Sequence, residues 1–220
     1  MKKFWRENGL SVVLFGLFII FLTGQALTGW RDEVSDLIEH GRPAIGLVDY
    51  LGSGSFVEAT MENWESEFLQ MAAYVVFTVF LYQKGSSESQ DPNKQEAVDR
   101  DPRASRHKKD APGPVRAGGW LLWIYERSLS LALIGLFLIS FVLHGFGGAA
   151  HYNEERALHD ESAVSVLEYM LSARFWFESF QNWQSEFLSI GLMVVLSIYL
   201  RQRGSPESKP VDSPHHSTGV

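Results

Sequence analysis

The chain has 220 residues, a formal net charge of −7, 45% hydrophobic residues and no cysteine. An acidic balance speaks against a nucleic-acid binder, and the absence of cysteine excludes disulfides and thiolate metal sites. Average composition conceals a sharp segregation of apolar from charged stretches, and that segregation carries the reading.

In chain order, the basic start "MKKFWR" leads into residues 10–27, "LSVVLFGLFIIFLTGQAL", 18 positions without a charge and so a transmembrane helix candidate. Taken alone, the same pattern fits a secretory signal. In the loop that follows, Asp32, Asp36 and His40 recur at i, i+4, i+8, a helical face of carboxylate and imidazole groups that suits Zn, Mn or Fe. Val34, Leu37 and Ile38 line another face, as in an amphipathic helix lying on a membrane with a solvated acidic side. "NWESEFLQ" (63–70) then opens a shorter apolar run, 68–82, in a length range shared with buried soluble helices. Residues 90–119 mix both signs with Pro, Ser and Gly and hold few large apolar side chains, which predicts a disordered linker. A second uncharged stretch of 18 residues, "LSLALIGLFLISFVLHGF", covers 129–146. His151, Glu155 and His159 follow it, then "NWQSEFLS" (182–189), an apolar run at 187–200 and a polar tail, 205–220, also expected to be disordered.

The two octets lie 119 positions apart, and that offset aligns 4–89 with 123–208 without a gap, with 28 identities in 86 pairs. The first apolar run thus has an internal counterpart that is no signal peptide. Of the 19 Lys and Arg residues, 15 fall at the N-terminus, between 84 and 127, or after residue 200. Basic residues near helix ends stay in the cytoplasm, so both termini and the linker are predicted cytoplasmic, with 28–66 and 147–185 outside. The expected architecture is an all-α membrane protein of four transmembrane helices. It comprises two parallel tandem repeats of a helical hairpin, with short helices in the outer loops. Repeat 1 occupies 1–89, with spans near 10–29 and 66–83; repeat 2 occupies 120–204, with spans near 127–147 and 185–202.

The paired NW-x-SEFL segments, "GQALTGW" at the exit of the first helix and "QRGSPESKP" at the end of the last resemble an uncharacterised bacterial family of duplicated four-helix membrane proteins, a domain of unknown function. The resemblance implies a bacterial inner-membrane protein, and it carries no activity and no functional residues.

Helix rise places Gln25, Glu67, His144 and Glu186 at one depth near the outer boundary. With Asn63 and Asn182 they form a candidate polar layer facing the interior, while Trp64, Phe68, Trp183 and Phe187 suit an interfacial aromatic belt. Such a layer handles protons or cations, braces the repeats, or sits among headgroups at helix N-termini. Phe175, Trp176, Phe177 and Phe180 offer a face to a membrane-protein partner or a second copy, or anchor the chain in the interface. Signatures of common enzymes, such as GxSxG, Walker-type loops and HExxH, do not occur. The sequence therefore predicts a structural, accessory or partner-binding membrane protein, with no catalysis and no cofactor. A cation-coupled transporter and an extracytoplasmic divalent-metal site on Asp32, Asp36, His40, His151, Glu155 and His159 are the alternatives.

Overall fold

A computed structural model describes residues 2–219. It is 69% helical, and no strand occurs among the described residues. The long helices are α1 (Lys2–Glu39), α3 (Gly54–Phe77), α6 (Ser128–Leu158) and α8 (Ala173–Tyr199), and the short ones are α2 (Leu47–Leu51), α4 (Gly113–Ala117), α5 (Gly119–Glu126) and α7 (Val166–Met170). The chain divides into two compact units. The first holds residues 1–61 and 143–175, the second 62–142 and 176–220.

In the first unit α1 runs 38 residues, about 57 Å, well past the expected end of its span. The surface helix expected around Asp32–His40 is the direct continuation of α1, because no proline interrupts the sequence before Pro43. The helix stops where Gly41 adopts φ +71°, with the Arg42 amide donating to the Leu37 carbonyl at 2.8 Å and the Gly41 amide to Ile38 at 3.0 Å. α6 ends the same way: Asp160 takes φ 54° and the Glu161 amide reaches the Arg156 carbonyl at 3.0 Å. The returning segments are tied back by Trp30 Nε1 donating to the Ile45 carbonyl at 2.9 Å, and by Asn153 Nδ2 donating to Val164 at 2.9 Å.

Short helices follow α1 and α6, as α2 and α7. Asp49 closes the start of α2 by accepting from the Gly46 amide at 3.2 Å, and Ser165 with Glu168 forms a reciprocal cap on α7. Each short helix drives one tyrosine inward. Tyr50 and Tyr169 are buried, in edge contact with Phe56 at 5.5 Å and with Phe175 at 5.6 Å. Their hydroxyls press on glycines of the long helices: a β-carbon on Gly29 would lie 2.1 Å from Tyr50 Oη, and one on Gly148 would lie 2.3 Å from Tyr169 Oη. Ser53 and Ser172 cap the next helices by accepting from the amides of Phe56 and Phe175. α3 crosses α6 at Gly54 and Gly147, whose backbones approach too closely for any side chain.

In the second unit α3 meets α8 through Gln70, whose Nε2 donates to the Glu186 carbonyl at 2.8 Å and to Ser189 Oγ at 2.9 Å. Within 90–119 lie the 3-10 turns Ala97–Asp99 and Pro102–Ser105 and helix α4. The tail returns to residues 85–87, where buried Lys209 donates to the carbonyls of Gly85, His215 and Ser217. An ammonium that meets several carbonyls replaces the water it loses, which is what holds so polar a segment in place.

Two helices, α1 and α6, are long and apolar enough to cross a membrane, against the four expected. α3 falls short because it ends at Phe77, before the apolar run is finished, leaving about 15 Å of apolar helix after Glu67. α8 begins with the polar, aromatic segment 173–186, so its apolar portion is also brief.

Candidate functional site

The first unit contains a cavity of about 640 Å³ between the C-terminal end of α1, the start of α3 and the C-terminal end of α6. Asp32, Glu33, Asp36 and Glu39 from α1 face it along with Glu154 and Glu155 from α6, while Arg42 and His151 are the basic groups on its wall. The carboxylates come from successive turns of two helices that continue beyond their apolar stretches, so the long α1 and α6 create this wall. A cleft lined by one sign of charge concentrates counter-ions.

Beneath the wall sits a buried acid. Glu58, 7% exposed, accepts from the Tyr169 hydroxyl at 2.9 Å and is bonded to His151 Nδ1. That contact raises the His151 pKa above its ordinary 6.5 despite partial burial, and the charges of Glu155 and Glu33 act in the same direction. Burial, followed by the charge of Glu33, raises the Glu154 carboxyl above the usual range, with His151 and Arg42 opposing. His151 and Glu154 therefore bind protons more readily than isolated side chains would. Glu155 is clamped by Arg174, whose Nη2 lies 3.1 Å from Oε1 and whose guanidinium stacks 4.9 Å above Tyr152.

Of the six residues expected to ligate metal, Asp32, Asp36, His151 and Glu155 line this one cavity. His40 and His159 do not. Each turns its Nδ1 back to a carbonyl of its own helix, at 2.9 Å on Asp36 and 3.0 Å on Glu155, which makes them matched helix-end caps.

Of the expected polar layer, Gln25 and His144 belong to the first unit and Asn63, Glu67, Asn182 and Glu186 to the second. In the first unit Gln25 donates to Thr60 Oγ1 at 3.2 Å, and His144 is fully buried with its ring 4.7 Å from that of Phe175. In the second unit Asn63 and Glu67 lie on the exposed face of α3, Glu186 is half-buried, and Asn182 bonds to its own helix at the Glu178 carbonyl. The inward carboxylate of the octet is Glu65, which accepts from Ser179 Oγ at 2.9 Å and Trp183 Nε1 at 3.2 Å. Trp183 thus spends its polar edge on Glu65 and its ring on Phe137, 6.3 Å away. Trp64 packs edge-on to Phe68, and Phe187 is exposed.

A family model described as Domain of unknown function (DUF6766) matches residues 1–220. The chain belongs to that family. No curated protein and no solved structure matches it. For this DUF6766 member the residues that sequence reasoning passed over are Glu58, Tyr169, Glu33 and Glu154. A signal for Glu58 was present: the 119-residue offset pairs it with Phe177, so one copy carries a charge where the other carries an aromatic ring.

Proposed function

We propose that the chain is an integral protein of the bacterial inner membrane. In this reading it comprises two parallel copies of a helical hairpin, with its termini cytoplasmic and a structural or partner-binding role in place of catalysis. The observation that carries this is the exposure of α1: Leu10 is 76% exposed, Phe15 70% and Phe21 68%, with Ile19 and Ile20 beside them. So much contiguous apolar surface is unstable in water and suits acyl chains. The duplication is supported by the elements, since α2 and α7, the ends of α1 and α6, and the starts of α3 and α8 are each 119 positions apart. The apolar runs 68–82 and 187–200 supply the second limb of each hairpin. Because the chain lacks cysteine, single substitutions report topology cleanly. Asp36→Cys should react with an impermeant maleimide from outside the cell, and Ser105→Cys only after permeabilisation. Labelling of both positions from outside, or release of the chain by alkaline carbonate, overturns the reading.

A second reading is favoured by the acidic cavity, whose carboxylates and His151 form a hard, oxygen-rich donor set for a divalent cation. Titration calorimetry with Mn²⁺ and Zn²⁺ should give stoichiometric binding that Asp32→Asn/Asp36→Asn weakens at least tenfold. No heat above that of the double variant removes it.

A further inference from the structure

A different feature belongs to the second unit. Between Arg100 and Arg116 the chain carries six basic residues against Asp101 and Asp110, a positive island in a molecule of net charge −7. Arg103, Arg106, Lys108, Lys109 and Arg116 are all exposed, and none pairs with a carboxylate among the described residues. The island is folded: Ala111 and Val115 bury against Leu122, which fastens it to α5. Arg106 Nε also donates to the Arg116 carbonyl at 3.0 Å, closing the loop into one basic surface.

α5, "GWLLWIYE", supplies the other half. Leu122 is its one buried side chain, and Trp120 and Trp123 stand 70% and 53% exposed with Ile124 and Tyr125 beside them. Only Arg127 separates α5 from α6, one of the two helices apolar enough to cross a membrane; its guanidinium lies 4.7 Å over the Trp123 ring. A tryptophan-rich turn at the mouth of a spanning helix rests at headgroup depth. The adjoining basic loop is then held against the phosphates.

We infer that residues 100–127 form a docking surface for anionic phospholipid headgroups on the cytoplasmic leaflet, the exposed aromatics of α5 entering the interface and Arg103, Arg106, Lys108, Lys109 and Arg116 binding the phosphates. This inference rests on the membrane reading above. The chemistry is complementary: clustered cations beside a membrane entry point attract acidic lipid, each Lys or Arg strengthening binding about fivefold. Salt at high concentration screens the attraction.

The test uses the full-length chain carrying Ala104→Cys, labelled with an environment-sensitive fluorophore, in nanodiscs that leave both membrane faces open. Quenching by neutral acrylamide should be at least threefold weaker with about 30% phosphatidylglycerol than with phosphatidylcholine alone, by the same electrostatic attraction. Arg106→Glu/Lys108→Glu/Lys109→Glu should abolish that protection, and Trp120→Ser/Trp123→Ser should reduce it. Equal quenching in both lipids, protection that survives charge reversal, or protection in phosphatidylcholine on adding inorganic phosphate each overturn the proposal. Failure of the membrane reading is separate, because the chain would then not enter nanodiscs of either composition.

Discussion

The segments 28–60 and 147–179, which the 119-residue offset pairs, lie in the first unit up to residue 175 and differ in an instructive way. Their framework is the same: a buried tyrosine against a helix glycine, an edge-on phenylalanine, a serine cap and a left-handed helix end. Their polar residues are not. His151 replaces Asp32, Phe177 replaces Glu58 and Arg174 replaces Ser55. Packing geometry is preserved where backbones touch, because a close approach tolerates no extra atoms. The polar side chains differ, and the acid of one segment, Glu58, meets the base of the other, His151.

The largest test attacks the shared framework. Gly29→Ala and Gly148→Ala each place a β-carbon within about 2.3 Å of a tyrosine hydroxyl and should destabilise the first unit by about 3 kcal/mol. Thermal melting of the detergent-solubilised protein by circular dichroism measures this. Gly16→Ala and Gly135→Ala, with nothing near the added carbon, serve as paired controls and should be neutral or slightly stabilising. The two locks also differ in depth. Tyr50→Phe should rescue Gly29→Ala, since removing the hydroxyl leaves the nearest ring atom at 3.0 Å, whereas Tyr169→Phe should not rescue Gly148→Ala, whose clash includes ring carbons at 2.5 and 2.6 Å. Equal rescue in both would break the distinction.

Next comes the asymmetry itself. Glu58→Gln weakens the acceptor shared by Tyr169 and His151 and should cost about 1–3 kcal/mol. It should also change the pH profile. His151 and Glu154 both have raised pKa values in the folded protein, so folding takes up protons at these sites. Their stabilising contribution is fully present below the unfolded values and is lost as pH rises through the folded ones. For His151 that window begins at its ordinary 6.5 and extends upward. The melting temperature of the wild type should therefore fall between neutral and mildly alkaline pH. The fall should be shallower in His151→Gln and in Glu58→Gln. Parallel profiles for all three would dissociate the Glu58–His151 contact from stability.

How far this asymmetry was legible depended on what kind of signal each residue left. Eighteen uncharged positions at 10–27 and at 129–146 announce α1 and α6 directly, because an apolar run of that length reads as one long helix. The helical spacing of Asp32, Asp36 and His40 was legible, but not that this helix continues α1 without a break to Glu39 or that it carries Asp32 and Asp36 to a common cavity with His151. Glu65 was missed for a matter of register. The inward polar groups of this segment were expected at Asn63 and Glu67, yet both are exposed, and Glu65 and Ser66 turn inward instead. Glu58 stood alone amid "SFVEATM", where no periodicity separates a buried acid from a loop charge.

The smallest effect belongs to Arg174. Its equivalent is the uncharged Ser55, whereas Arg174 reaches across to Glu155 and lies over Tyr152. The later segment thus carries a clamp on one of the cavity's carboxylates where the earlier one carries a small hydroxyl. Arg174 is partly exposed, so water competes for both interactions and Arg174→Ala should cost no more than about 1 kcal/mol. Its consequence for the cavity is more specific than its cost. Without the guanidinium, Glu155 loses one cation while Glu154, Asp36 and Asp32 line the same cavity. Mutual repulsion should then raise the proton affinity of the carboxylates. Carboxyl resonances of uniformly ¹³C-labelled protein, followed by NMR titration, should move to higher apparent pKa in Arg174→Ala and stay in place in Ser55→Ala. If the two variants titrate alike, Arg174 is a packing residue and the difference between the copies has no electrostatic meaning at that position.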